Sequence, residues 1–108
     1  MATNDLLRGH VDDLVLAILR DRAAHGYEII ERLRERSEDA FDLPEGTIYP
    51  ALHRLERDGL LDSEWQQHGG RRRRVYRLSA GGAEVLRERS AAWRAFARGV
   101  DRVLGGAA

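Results

Sequence analysis

The 108-residue sequence has no cysteine, no lysine and only two prolines. Without cysteine there are no disulfides, thiolate metal sites or cysteine nucleophiles. The four histidines are scattered and lack metal-ligand spacing. No apolar run approaches the ~20 residues that a membrane span needs. The opening MATNDLLRGH also lacks the basic start and apolar stretch of a secretory signal. These absences set the expectation of a cytoplasmic protein with no membrane partner, metal or cofactor. The length corresponds to one domain, short for an enzyme with a deep enclosed active site, which makes a binding module the better starting point.

Formal net charge is +0, and because lysine is missing all 18 basic side chains are arginine. GC-rich codon usage accounts for that preference without any function, so only the placement of the arginines is informative. Five fall within the eleven residues HGGRRRRVYRL, from His68 to Leu78.

Hydrophobic periodicity orders the chain. VDDLVLAILRDR puts Val11, Leu14, Val15, Ile18 and Leu19 on a helical stripe, widened by Leu16 and Ala17, and reads as a central buried helix. A second helix, amphipathic about Ile29, Ile30 and Leu33, ends near Ser37. After the turn-rich FDLPEG, a third segment aligns Ile48, Ala51, Leu52 and Leu55, with Gly59 as its stop. Pro50 is tolerable there if Thr47 is the N-cap, leaving Pro44 to Gly46 as a turn. LLDSEWQQHGGRRRRVYRLS then alternates about Gly69-Gly70 as a β-hairpin, with Tyr76 and Leu78 facing inward and Arg73 and Arg77 outward. From Ser79 a last helix carries Trp93, Phe96, Val100 and Val103 at the 3-4-3 spacing of a helix-pairing seam.

Three helices followed by a glycine-tipped, arginine-bearing hairpin define a fold that is mainly α with a β-hairpin wing. It is a winged helix-turn-helix over residues 1–80, with a C-terminal dimerisation helix over 81–108 packed on the same domain. The third helix of such a fold enters the DNA major groove. Opposite its buried side lie Gly46, Pro50, His53 and Arg57, flanked by Tyr49 and Arg54. Consecutive guanidinium groups repel one another unless an anion is near, and a DNA backbone is one. A neutral chain needs only a local surface to meet phosphate. A solvated helix face, or an arginine run that docks an acidic protein partner, is the alternative.

The stretches LLRGHVDDLVLAIL, HGYEIIERL, LPEGTIYPALHRLERDGLL and GGRRRRVYRLSAGG together resemble the PadR family of bacterial transcriptional regulators, in its short form with a single C-terminal helix. The likeness spans roughly residues 6–82. It implies a recognition helix over Gly46 to Arg57, with Thr47, Tyr49, His53, Arg54 and Arg57 available to phosphate and bases. Gly69, Gly70, Arg71, Arg72 and Arg73 correspond to the wing, and His25, Gly26 and Tyr27 to the start of the second helix. Tyr27 is either a phosphate ligand or a half-buried core aromatic, and Tyr49 either touches DNA or braces the wing. The family implies a homodimer on double-stranded DNA, built through the Trp93/Phe96/Val100/Val103 seam. Some members sense phenolic acids or planar cationic drugs, in certain cases between aromatic side chains at the dimer interface, which makes Trp93 and Phe96 either dimer core or a site for a small aromatic effector.

The expected function is therefore a sequence-specific regulator, a ligand-responsive repressor binding an inverted repeat as a homodimer. No enzyme is expected: pairs such as His25 or His53 with Glu28 or Glu56 are ordinary helix-surface patterning, and nothing completes a mechanism.

Overall fold

The computed structural model describes Leu7 and residues 9–105. The outer ends of the two expected parts, residues 1–6 and 106–108, and residue 8 lie outside it. Among the described residues the order is α1 (Val11–Asp21), β1 (Ala24–His25), α2 (Gly26–Arg36), α3 (Glu45–Arg57), β2 (Leu61–His68), β3 (Arg71–Leu78) and α4 (Ala80–Val103).

Helix α1 is the hub, and it packs against α2, α3, α4 and β3. Its apolar stripe buries Val15, Leu16, Ile18 and Leu19. The facing surfaces bring Ile29 and Leu33 from α2, Ile48, Ala51, Leu52 and Leu55 from α3, and Leu61, Tyr76 and Leu86 from the hairpin and α4. Each large side chain so buried contributes about 1.5–3 kcal/mol of transfer free energy. No buried side-chain polar atom among the described residues lacks a hydrogen-bond partner.

Helix α2 begins in a capping box: Glu28 N–H donates to His25 Nδ1 at 3.4 Å, and His25 N–H donates to Glu28 Oε1 at 3.2 Å. Helix α3 ends in a Schellman motif, with Leu60 N–H donating to the Leu55 carbonyl and Gly59 N–H to that of Glu56. Gly59, at φ 79°, supplies the left-handed residue this stop needs.

The hairpin pairs β2 with β3 from Leu61↔Leu78 to His68↔Arg71. Gly69 and Gly70 both have positive φ, 58° and 81°, as a two-residue turn matching strand twist requires. A third strand escapes sequence periodicity because β1 has only two residues. It pairs Ala24↔Tyr76 and His25↔Val75, giving the order β1-β3-β2 and fastening the root of the hairpin to the start of α2.

The start of α3 differs from expectation. The N-cap is Pro44, not Thr47, and the Thr47 and Ile48 N–H groups donate to its carbonyl at 3.0 and 3.1 Å. Glu45 and Gly46 are thus helical, and Pro50 is inside the helix. Interior proline costs less here than a start at Thr47 would imply. Pro50 and Gly46 lie on the exposed face, so the Gly46 carbonyl that loses its i+4 donor has water for a partner. Pro50→Ala restores that bond against a more flexible unfolded chain, and should stabilise the protein by about 1 kcal/mol. Thermal unfolding of the two proteins checks this.

Candidate nucleic-acid interface

At 100° per residue, the buried positions Ile48, Ala51, Leu52 and Leu55 of α3 leave an opposite face of Gly46, Pro50, His53 and Arg57, all exposed. One edge of that face carries Tyr49 and Glu56, two turns apart, and meets the hairpin. Glu56 accepts from Ser63 Oγ and from Arg74 Nη2, at 3.4 Å in the second case. The other edge carries Thr47 and Arg54 and meets α1, where Arg54 Nη2 donates to Asp12 Oδ1 at 2.8 Å. The exposed face is therefore a strip held between the hairpin and the start of α1.

Beyond the Tyr49 edge is an open cleft of about 500 Å³ lined by Gly26 and Tyr27 of α2, Tyr49 of α3, and Trp65 and Arg71 to Arg74 of the hairpin. The four consecutive arginines are not equivalent. Arg73 is half-buried with Nη1 2.7 Å from His25 Nε2, so the expectation that it points into solvent is corrected. The cause is β1, which brings His25 beside the neighbouring Val75. Arg74 pairs with Glu56. Arg71 and Arg72 are exposed, and among the described residues neither has a carboxylate partner. Arg72 lies over the Trp65 ring at 4.9 Å and Arg74 at 5.3 Å, so an aromatic face organises two guanidinium groups. Arg77 is exposed as expected and pairs with Glu64 at 3.3 Å. That guanidinium, together with a hydrogen bond from Gln66, which contributes most, lowers the Glu64 pKa.

Trp65 is a partner of these arginines that the alternation of the hairpin sequence does not single out. Counting outward from Gly69-Gly70 places it opposite Arg74, so the hairpin register already contained the contact. Tyr27 is 61 % exposed, which removes the core-aromatic alternative. Tyr49 is half-buried, and its ring lies where a side chain on Gly26 would be: a Cβ there would come within 2.5 Å of the phenol. Glycine at position 26 is what lets Tyr49 fill the angle between α2 and the hairpin.

Burial, the largest cause in each case, raises the phenol pKa of Tyr49 and Tyr76 above the ordinary value. The fold thus favours their neutral forms. That contribution is complete below about pH 10 and is lost as pH rises through the raised folded values. Urea midpoints should hold steady up to about pH 10 and fall beyond it, and the Tyr49→Phe/Tyr76→Phe double variant should fall less steeply.

Helix α4 leaves the body. Gly82 and Leu86 are its buried residues, and beyond Ser90 nothing on it is buried. Trp93, Phe96, Val100 and Val103 are 51 %, 62 %, 36 % and 86 % exposed and lie along one side. Trp93 stacks edge-on against His10 at 5.2 Å and lies 5.8 Å from Phe96.

A three-helix body, a three-stranded sheet whose hairpin projects, and an exposed third helix beside it define a winged helix-turn-helix protein. The sequence profile of the "Transcriptional regulator PadR-like family" matches residues 15–88, more than half of the chain, and the protein belongs to that family. It is 43% identical over 86 residues to the transcriptional regulator Rv3488 of Mycobacterium tuberculosis, spanning 80% of this chain and 75% of that one. Among solved structures, a PadR-family transcriptional regulator from Eggerthella lenta superposes with a TM-score of 0.81 at 38% identity, over 93% of this chain and 86% of that one. One from Clostridium difficile does so with a TM-score of 0.76 at 38% identity, over 90% and 99%.

Proposed function

We propose that this PadR-family regulator is a repressor that binds an inverted-repeat operator as a homodimer and releases it when a small aromatic effector binds. The observation that carries the reading is the strip of α3, Gly46, Pro50, His53 and Arg57, flanked by a hairpin whose Arg71 and Arg72 have no carboxylate partner among the described residues. A helix of this width fits the major groove, where His53, Arg54, Arg57 and Thr47 reach base edges or phosphates. Gly69 and Gly70 give a thin tip, and Arg71 and Arg72 meet the adjacent backbone or the narrow minor groove, with Arg73 braced behind them. Tyr27 and Tyr49 supply phenol hydroxyls at the cleft.

Pairing rests on α4. Its bare apolar seam is too large to leave in water, and a second copy covers it best. Two copies so joined set their α3 helices about 34 Å apart, one turn of a duplex. In this reading residues 1–80 are the reading head and 81–108 the pairing arm, in a protein of the cytoplasm. Among the described residues no helix is long and apolar enough to cross a membrane. The Trp93 and Phe96 rings, with His10 beside them, give an aromatic effector a surface within the pairing region.

Selection of bound duplexes from a random pool tests the reading. An enriched palindrome with half-sites one turn apart is expected. Recovery of unrelated sequences, with scrambled duplex bound equally well, contradicts it and favours an acidic partner for the arginines.

A further inference from the structure

We infer that Asp12, on α1, is a specificity-determining positioning residue: it holds the Arg54 guanidinium across the edge of α3 and keeps it from acting as a sequence-blind phosphate anchor. The inference rests on the DNA-binding reading above.

Arg54 is on the α3 edge away from the hairpin, about half exposed, and its Nη2 lies 2.8 Å from Asp12 Oδ1. The two residues are 42 positions apart, so the contact is tertiary rather than helix-surface patterning. Asp12 is in the first turn of α1, and with Thr47, Pro50 and Arg54 it lines a shallow recess beside the exposed face of α3.

An unpaired arginine at that edge is a mobile cation, and a mobile cation near a duplex gains most from phosphate, whose charge is the same at every sequence. Discrimination needs a guanidinium that is directed, because its planar fork reads a guanine edge only in one orientation. Asp12 does both: it neutralises Arg54 toward the backbone and fixes one side of the fork, leaving the remaining N–H groups to point along the groove. The neighbouring carboxylate supplies a control within the same helix turn. Asp13 Oδ1 accepts from Arg89 Nη1 of α4 at 2.9 Å, so it carries the same charge in a similar ion pair that does not touch α3.

The experiment measures affinity for the duplex enriched by the wild-type protein and for a scrambled duplex of the same composition, for the full chain and for Asp12→Asn, Asp13→Asn, Arg54→Ala and Asp12→Asn/Arg54→Ala, with a melting curve for each. Asp12→Asn should bind scrambled duplex more tightly and discriminate less. Its gain should shrink roughly threefold to fourfold between about 50 and about 200 mM salt, the slope of about one added phosphate contact. Asp13→Asn should leave discrimination unchanged. In the Arg54→Ala background the Asp12 change should have no such effect. A gain that persists without Arg54 is simple loss of repulsion, and it overturns the inference. So does unchanged discrimination in Asp12→Asn while the wild type still prefers its enriched site. A wild type that binds the two duplexes equally overturns the DNA reading itself, and the inference with it.

Discussion

Gly82→Ala should destabilise the protein by about 3 kcal/mol and lower its melting temperature by roughly 10–20 °C. Gly82 is the third residue of α4, where the helix crosses the exit from α3. A Cβ at this position would come to 2.1 Å from the Leu60 carbonyl oxygen and 3.0 Å from its carbon, both backbone atoms that cannot swing aside. The same carbonyl accepts the Ser79 N–H at 3.1 Å, and Ser79 Oγ donates to the Gly59 carbonyl while accepting the Gly82 N–H as the α4 N-cap. Any retreat of α4 therefore breaks the hydrogen bonds that join its start to the end of α3. Gly81 provides the comparison: a Cβ there meets nothing nearer than 3.7 Å, so Gly81→Ala should stay within about 1 kcal/mol of wild type. Equal melting curves for the two variants would contradict the close approach.

A charge in the exposed seam should have the largest effect on DNA binding without touching the reading surface. Phe96→Asp/Val100→Asp puts two carboxylates at exposed positions of the apolar strip and leaves the Trp93–His10 contact and the buried Gly82 and Leu86 in place, so the monomer should melt normally. The pair, if it forms through this strip, should not survive. A dimer binds its second half-site intramolecularly, and losing that advantage should weaken operator affinity by about 10²-fold or more. Light scattering gives the mass and a titration gives the affinity. A variant that remains dimeric, or a monomer that binds as tightly as wild type, would refute the role given to the seam.

Much of this architecture was legible because its signals are local. The stripes in α1, α2 and α3 have a helical period, and Gly59 and Gly69-Gly70 can be read from backbone conformation alone. The exposed apolar side of α4 was legible in the same way, from the 3-4-3 spacing of Trp93, Phe96, Val100 and Val103. What escaped depends on tertiary placement. Two residues, Ala24 and His25, make a strand only because β3 offers an edge, and that pairing turns Arg73 from a solvent-facing wing residue into a neighbour of His25. The α3 start was displaced because Pro50 is tolerated where its face is open. Asp12 gave no signal, since a carboxylate in a first helical turn is ordinary until Arg54 is found across from it.

In the DNA-binding reading, the glycine-tipped hairpin and the exposed strip of α3 meet one duplex. Salt dependence of binding to the enriched site, for wild type and for Arg71→Gln/Arg72→Gln, tests it most directly. These two side chains are exposed and have no carboxylate partner among the described residues, so the variant should fold as wild type. Removing two phosphate contacts should reduce the slope of log affinity against log salt by about 1.8. A variant with the wild-type slope would mean that the hairpin does not touch DNA.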